Sequence, residues 1–215
     1  LDEAESWVET YLTEKPFSSA ALYASGYIFF LKEDINKAEK LFKKALEQDD
    51  TNALALNNLG AIRLSKKSYT QAVNLVRKAI QINPKEPMFF KNLETIYKQM
   101  GNPSLIITDY NFYLKEKEDL DLIRGYGMAV GRNMRQASFR LYNKGYLEKT
   151  ILKWVEIEKI YKEIDHQSGL VSVYFSLGIL YEEKGESQNA KNYFDLVLKL
   201  NPLHIQAKER LYNIR

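Results

Sequence analysis

His166 and His204 are the two imidazoles of this 215-residue chain, and it holds no cysteine. Those counts bound the chemistry it can carry. A lone pair of histidines 38 residues apart cannot make a metal site, which needs three or four well-spaced ligands. Without a thiol there is no disulfide scaffold, thiolate zinc site or cysteine nucleophile. No G-x-S-x-G elbow accompanies either histidine, so a hydroxyl nucleophile with an imidazole base has no support. His166, in Asp165-His166-Gln167-Ser168-Gly169, reads as a solvated connector between helices. His204, just after Asn201-Pro202, reads as a turn residue. The carboxylate pairs Asp49-Asp50 and Glu182-Glu183 fall at helix ends and turns, where solvated charge is the expectation. Gly125, Gly127 and Gly131 lack the preceding strand and the G-x-G-x-x-G spacing of a dinucleotide loop. Close helix packing, or a break in a helix, accounts for them. The expectation is a chain that is not an enzyme, with no cofactor and no metal.

One constellation does point to binding. From Leu122 to Leu147 there is no acidic residue, while Arg124, Arg132, Arg135, Arg140 and Lys144 are all present. Four of the chain's eight arginines lie in those 26 residues. Arg132, Arg135 and Phe139 fall at i, i+3 and i+7 and share one helix face. Such a face could meet an anion, because a guanidinium offers two parallel donors to a carboxylate or phosphate. The alternative is a basic surface without a ligand. The net charge of only +3 argues against nucleic acid as the partner.

These residues must be positioned by helices. Ala38, Leu41, Phe42, Ala45 and Leu46 follow the spacing of a helix that buries one face. The same spacing recurs over residues 72–80 and 190–198, and no stretch alternates with period two long enough to make a strand. Asn83-Pro84 and Asn201-Pro202 stop helices, since proline disfavours helical geometry in the residue before it. The chain is all-α. Its 45% apolar content is ample for a core, and aromatics make up 13%, with 15 Tyr and 10 Phe to place. The longest apolar run, Tyr27 to Leu31, is far short of the roughly 20 residues that span a bilayer. No membrane insertion is expected. Leu1-Asp2-Glu3 lacks the basic start of a signal peptide, and a first residue other than Met fits an excised fragment or a processed form. A soluble domain is expected, cytoplasmic, or envelope-associated if the chain is part of a longer one. The 23 Lys against 8 Arg fit an AT-rich, bacterial genome.

The helices repeat. Ala38, Phe42, Ala45 and Asp50 are echoed 34 residues later by Ala72, Val76, Ala79 and Pro84. Ahead of each lies a second pattern: Leu22, Ser25, Gly26 and Phe29, then Leu56, Leu59 and Gly60. Tyr174, Leu177, Gly178, Tyr181, Gly185, Ala190, Phe194, Val197 and Pro202 match both halves together. On these residues the chain resembles the tetratricopeptide-repeat (TPR) family, whose 34-residue helix–turn–helix unit carries small and bulky residues in this order. The expected fold is an α–α superhelix (TPR solenoid) of about five hairpins in a single domain, 1–215. Repeats fall at 19–52, 53–86, 87–120, a degenerate 131–164, and 171–204. Residues 1–18 form a half repeat and 205–215 a capping helix.

The resemblance implies a groove lined by the first helix of each hairpin. Its positions are Ala20, Tyr23, Tyr27 and Phe30, then Leu54, Asn57, Asn58, Ala61 and Leu64, then Met88, Lys91, Asn92, Thr95 and Lys98. The fourth repeat supplies Arg132, Arg135, Phe139 and Tyr142, and the fifth Ser172, Phe175, Ser176 and Ile179. The expected contacts to a partner are Tyr23, Tyr27, Asn57, Asn58, Lys91, Asn92, Thr95, Arg132, Arg135, Phe139 and Phe175. Side-chain amides both donate and accept, and so suit the backbone of an extended peptide. Chaperone-docking members of the family hold a terminal carboxylate with a Lys and an Asn in their first repeat. Tyr23 and Tyr27 stand at those places here and only Asn58 matches further on, so that clamp is not expected. The expected function is a protein–protein interaction scaffold taking a peptide or helix, acidic where it meets the arginines. The alternatives are nucleic-acid binding through residues 122–147, with aromatics as stacking platforms, and self-assembly into a homo-oligomer through residues 1–18 or 121–170.

Overall fold

The computed structural model describes residues 1–116 and 119–214. These form twelve helices, with no strand among the described residues. The chain divides into two compact units, Leu1–Ile106 and Ile107–Arg215. The first contains α1 (Asp2–Glu14), α2 (Ser19–Leu31), α3 (Ile35–Gln48), α4 (Ala53–Ser65), α5 (Tyr69–Ile82) and α6 (Pro87–Gln99). Next come α7 (Leu105–Glu116), whose first turn reaches the boundary, and then α8 (Leu120–Tyr142), α9 (Leu147–Glu163), α10 (Gln167–Glu183), α11 (Ser187–Leu200) and α12 (Ile205–Asn213). Part of the expected third repeat, residues 117 and 118, lies outside the described residues.

Within each unit consecutive helices pair as hairpins: α2 with α3 and α4 with α5 in the first, α8 with α9 and α10 with α11 in the second. The cause is the alternation of small and bulky residues. A Cβ on Gly26 would stand 2.8 Å from the Phe42 ring, one on Gly60 2.6 Å from Val76 Cγ2, and one on Gly178 2.5 Å from Phe194 Cε1. Phe42, Val76 and Phe194 are fully buried. In each hairpin a bulky side chain of the second helix fills the space that glycine leaves on the first, which lets the axes approach. In the α8–α9 hairpin the equivalent places hold Ser138 and Trp154, both buried. The small residue there keeps its hydroxyl satisfied by donating to the Met134 carbonyl at 3.0 Å.

Helix starts and stops are written locally. Asp34 and Asn52 accept from the amides of Lys37 and Ala55 at 3.0 Å, and Ser18 from Ala21 at 3.3 Å. These side chains satisfy donors that the first turn leaves open. Each first helix ends by crossing a left-handed residue, closed by a bond such as Ser68 N to Arg63 O at 2.9 Å. That residue is Gly101, Gly145 or Gly185 in three hairpins but Glu33 (φ 63°) and Lys67 (φ 57°) in the first two. An L side chain in this conformation costs roughly 1–2 kcal/mol, part of which the greater freedom of unfolded glycine offsets. Lys67→Gly should therefore raise the stability of the first unit by about 0.5–1 kcal/mol. Thermal unfolding checks this, and Lys67→Ala should give no such gain.

Between the hairpins, ion pairs fix neighbours. Glu39 on α3 accepts from Arg63 at 2.8 Å and Lys66 at 2.6 Å, and from Lys43 of its own helix at 2.8 Å. Arg63, then Lys43 and Lys66, hold its carboxyl well below the usual carboxylate range.

The glycines of residues 125–131 do not break a helix. α8 runs unbroken from Leu120 to Tyr142, so it begins eleven residues before the expected start of the fourth repeat at 131. Of the two readings of these glycines, close packing is the one found. A Cβ on Gly127 would meet Ile164 at 2.8 Å, and one on Gly131 would meet Tyr161 Cζ at 2.5 Å.

Candidate partner-binding faces

The first unit presents the first helices α2, α4 and α6. Tyr23 and Tyr27, one turn apart on α2, stack with ring centroids 6.1 Å apart, and Tyr23 also leans on Phe42 at 5.8 Å. Tyr23 is half-buried and Tyr27 exposed, so the pair is a core residue with an outward extension. Burial raises the Tyr23 phenol above its ordinary value.

Asn57, expected on the open face, is instead buried at 2% exposure. It is the middle of an amide relay. Asn92 Nδ2 donates to Asn57 Oδ1 at 2.8 Å, Asn57 Nδ2 to Asn58 Oδ1 at 3.4 Å, and Asn58 Nδ2 to Tyr23 Oη at 3.4 Å. The relay ties α6 to α4 to α2, and all its donors point the same way, an arrangement in which each bond polarises the next. Asn58 and Asn92 remain part-exposed. Lys91 and Thr95 are fully on the surface, although the Thr95 hydroxyl donates to the Lys91 carbonyl at 2.8 Å. Asn57→Leu should break the relay and cost about 1–3 kcal/mol, the usual penalty for stranding polar partners. Asn92→Ala, at a wetter position, should cost less. Urea titration of both variants tests that order.

The second unit brings the arginines together. Arg124 Nε donates to the Ile164 carbonyl at 3.3 Å, and Arg135 Nη2 donates to Tyr161 Oη at 3.4 Å. The Arg135 guanidinium also lies 5.9 Å from the Trp154 ring, and its Nε is buried without a hydrogen-bond partner among the described residues. His166, expected in solvent, is instead half-buried at the start of α10, with its ring edge-on to Tyr161 at 4.9 Å. Burial, then the charges of Arg135, Arg124 and Arg132, push its pKa below the ordinary imidazole value. The unfolded chain therefore binds this proton more readily than the folded one. The stability that neutral His166 allows is full above roughly pH 6.5 and is lost as pH falls through the lower, folded value. The imidazole resonances should titrate below the ordinary value, and Arg135→Gln should move that midpoint up.

Phe139 and Phe175 differ in setting. Phe139 is exposed, edge-on to Trp154 at 6.0 Å. Phe175 is half-buried, packed on Phe194 at 5.8 Å and on His204 at 4.7 Å, where His204 accepts from the Ala207 amide to start α12. Between the first helices α8 and α10 lies a cleft of about 200 Å³. Its walls include Phe139, Tyr142, Ser176 and Ile179, four positions that the repeat register assigned to the groove, together with Thr150, Trp154 and Leu180. The last three were not singled out because they sit at core positions of the repeat. Trp154 was nonetheless readable as the bulky partner of a small residue. Two other hollows lie elsewhere: one of about 420 Å³ beside Trp7, Tyr11 and Ala21, and one of about 310 Å³ beside Tyr110, Met134 and Lys153. Among the described residues no cluster of three or more His, Asp or Glu could hold a metal. No described helix is long and apolar enough to cross a membrane.

Comparison with known proteins fits this architecture. One profile described as tetratricopeptide repeat matches residues 19–52 and 171–202, and a second matches residues 41–74. The chain is 25% identical over 238 residues to human Protein O-mannosyl-transferase TMTC3, covering 98% of this chain and 26% of that protein. It is 25% identical over 178 residues to a Dictyostelium discoideum STIP1 homolog, covering 80% and 28%. It is also 27% identical over 198 residues to the TPR repeat-containing protein MJ1428 of Methanocaldococcus jannaschii, covering 83% and 32%. The chain thus spans about a quarter to a third of the length of these relatives. Among solved structures, the C-terminal part of a TPR repeat-containing protein from Cytophaga hutchinsonii shares the fold, with a TM-score of 0.55 at 16% identity over 98% of this chain and 81% of the other. Profile matches over residues 19–74 and 171–202, together with hairpins built on the glycine-to-bulky contact, identify those stretches as tetratricopeptide repeats.

Proposed function

We propose that this protein is a non-enzymatic interaction module that receives an extended segment or a helix of another protein on the first-helix faces of its two units. One observation carries the reading: the cleft between α8 and α10 is walled by register-assigned groove positions and lies on the same helix as Arg132 and Arg135. Repeat arrays suit such work because each hairpin leans on its neighbours, leaving a long face for a partner. The test is capture of partners from the source organism by the intact chain and by variants carrying Tyr27→Ala, Lys91→Glu or Phe139→Ala, all at exposed positions. All three are expected to keep the thermal transition within a few degrees while specific partners are lost. Retention of every captured protein by all three overturns the proposal.

Self-assembly is a second reading, favoured by one observation. α1 buries no residue and leaves Trp7 exposed at 71%, and Phe17, in the turn that follows it, is exposed at 75%. If that face pairs copies, sedimentation should show association that rises with concentration and is abolished by Trp7→Glu. A strict monomer at every concentration removes this reading.

A further inference from the structure

On α8 an apolar cleft and a run of arginines lie side by side. We infer that the α8–α10 face is a two-part site for a peptide in which an aliphatic or aromatic residue is followed at once by acidic residues. The cleft takes the apolar side chain, and Arg135, with Arg132 beside it, takes the carboxylate. This rests on the module reading above and names the chemistry of its partner.

The size fits. A cavity of about 150 Å³ with apolar walls holds a benzene molecule, so about 200 Å³ has room for one leucine or phenylalanine side chain. Phe139 and Trp154 offer an edge-to-face corner to an incoming group. The charge fits as well. The Arg135 guanidinium lies 5.9 Å from the ring of Trp154, which walls the cleft; among the described residues it makes one long bond, at 3.4 Å to Tyr161, and its Nε is buried and unbonded. A carboxylate that drew the guanidinium toward it would supply two acceptors in the fork geometry an arginine prefers. Residues 122–147 carry no acidic residue, so the formal charge of this stretch is wholly positive. The field of this region is felt by His166, whose proton affinity the three arginines lower.

The site also has a direction. At the Tyr142 rim Tyr142 Oη donates to Glu183 Oε2 at 2.9 Å, so a carboxylate already stands there. An acidic residue belongs on the Arg135 side of the apolar anchor, and a basic residue is tolerated only beyond it.

The experiment uses three fluorescent decapeptides of Gly and Ser with a central Leu-Asp-Glu, Leu-Lys-Lys or Ala-Asp-Glu, titrated with the full chain and followed by anisotropy. The Leu-Asp-Glu peptide is expected to bind. Removing its leucine should weaken binding about 10-fold or more, as follows from burying one apolar side chain. The Lys peptide should bind at least 10-fold more weakly, and Arg135→Ala should abolish that preference. Phe139→Ala, at an exposed position, keeps the test valid if Arg135→Ala unfolds: it should weaken the two Leu peptides and leave the Ala peptide unchanged. Equal binding of the acidic and Lys peptides overturns the inference, as does a preference that survives Arg135→Ala. Preferential binding of a single-stranded oligonucleotide, lost steeply with salt, overturns it too. If none of the peptides binds while captured partners are still lost with Tyr27→Ala, only this site fails and the module reading stands.

Discussion

Phe194→Ala should destabilise the second unit by about 3–5 kcal/mol, and in that background Gly178→Ala should change from harmful to helpful. Phe194 is fully buried, and its ring fills the space above Gly178, where a Cβ would stand 2.5 Å away. In the intact chain that methyl group collides with a ring that has nowhere to go, at a cost of about 1–3 kcal/mol. With the ring removed, the methyl enters the cavity, and alanine's helix preference over glycine adds about 1 kcal/mol. The sign reversal is specific to the close approach. If Gly178→Ala is stabilising with Phe194 present, the glycine-to-bulky contact is not what sets the spacing of these helices.

Gly131→Ala should cost about 2–3 kcal/mol, although glycine inside a helix is ordinarily improved by alanine. The added Cβ would stand 2.5 Å from Tyr161 Cζ, and Tyr161 is held on its other edge by Gly169 and by the His166 ring. Because the collision involves ring atoms, Tyr161→Phe should not relieve it, whereas Tyr161→Leu should relieve most of it. Tyr161 Oη also accepts from Arg135, so the same variant should disturb the His166 titration. Urea unfolding of Gly131→Ala alone and combined with each Tyr161 substitution, each Tyr161 substitution alone serving as reference, and nuclear magnetic resonance of His166 test both statements.

Much of this fold was legible because one packing contact is repeated. Gly26, Gly60 and Gly178 with Phe42, Val76 and Phe194 are spaced alike in the chain, and each pair is a collision avoided in space. The fourth hairpin was blurred because Ser138 and Trp154 perform the same packing with different residue types. α8 begins ahead of the repeat boundary at 131 for a related reason: glycines that look like helix breakers are, in Gly127 and Gly131, points where Ile164 and Tyr161 press on the backbone. The candidate faces were legible only as positions. Periodicity placed Arg135, Phe139 and Ile179 on the right side of their helices. It could not show that Asn57 turns inward to accept from Asn92, or that His166 packs on Tyr161. Those depend on contacts between residues far apart in sequence, which no local pattern encodes.

The central claim is that partners sit on the first-helix faces. The most direct measurement places a photo-crosslinking benzoylphenylalanine at one position at a time, Tyr27, Phe139 or Ile179 on first helices and Leu152 or Leu200 on second helices, and maps the adducts formed with captured protein. Adducts from the first three positions and none from Leu152 or Leu200 are predicted. Adducts confined to Leu152 and Leu200 would contradict the claim and move the binding surface to the opposite side of the hairpins.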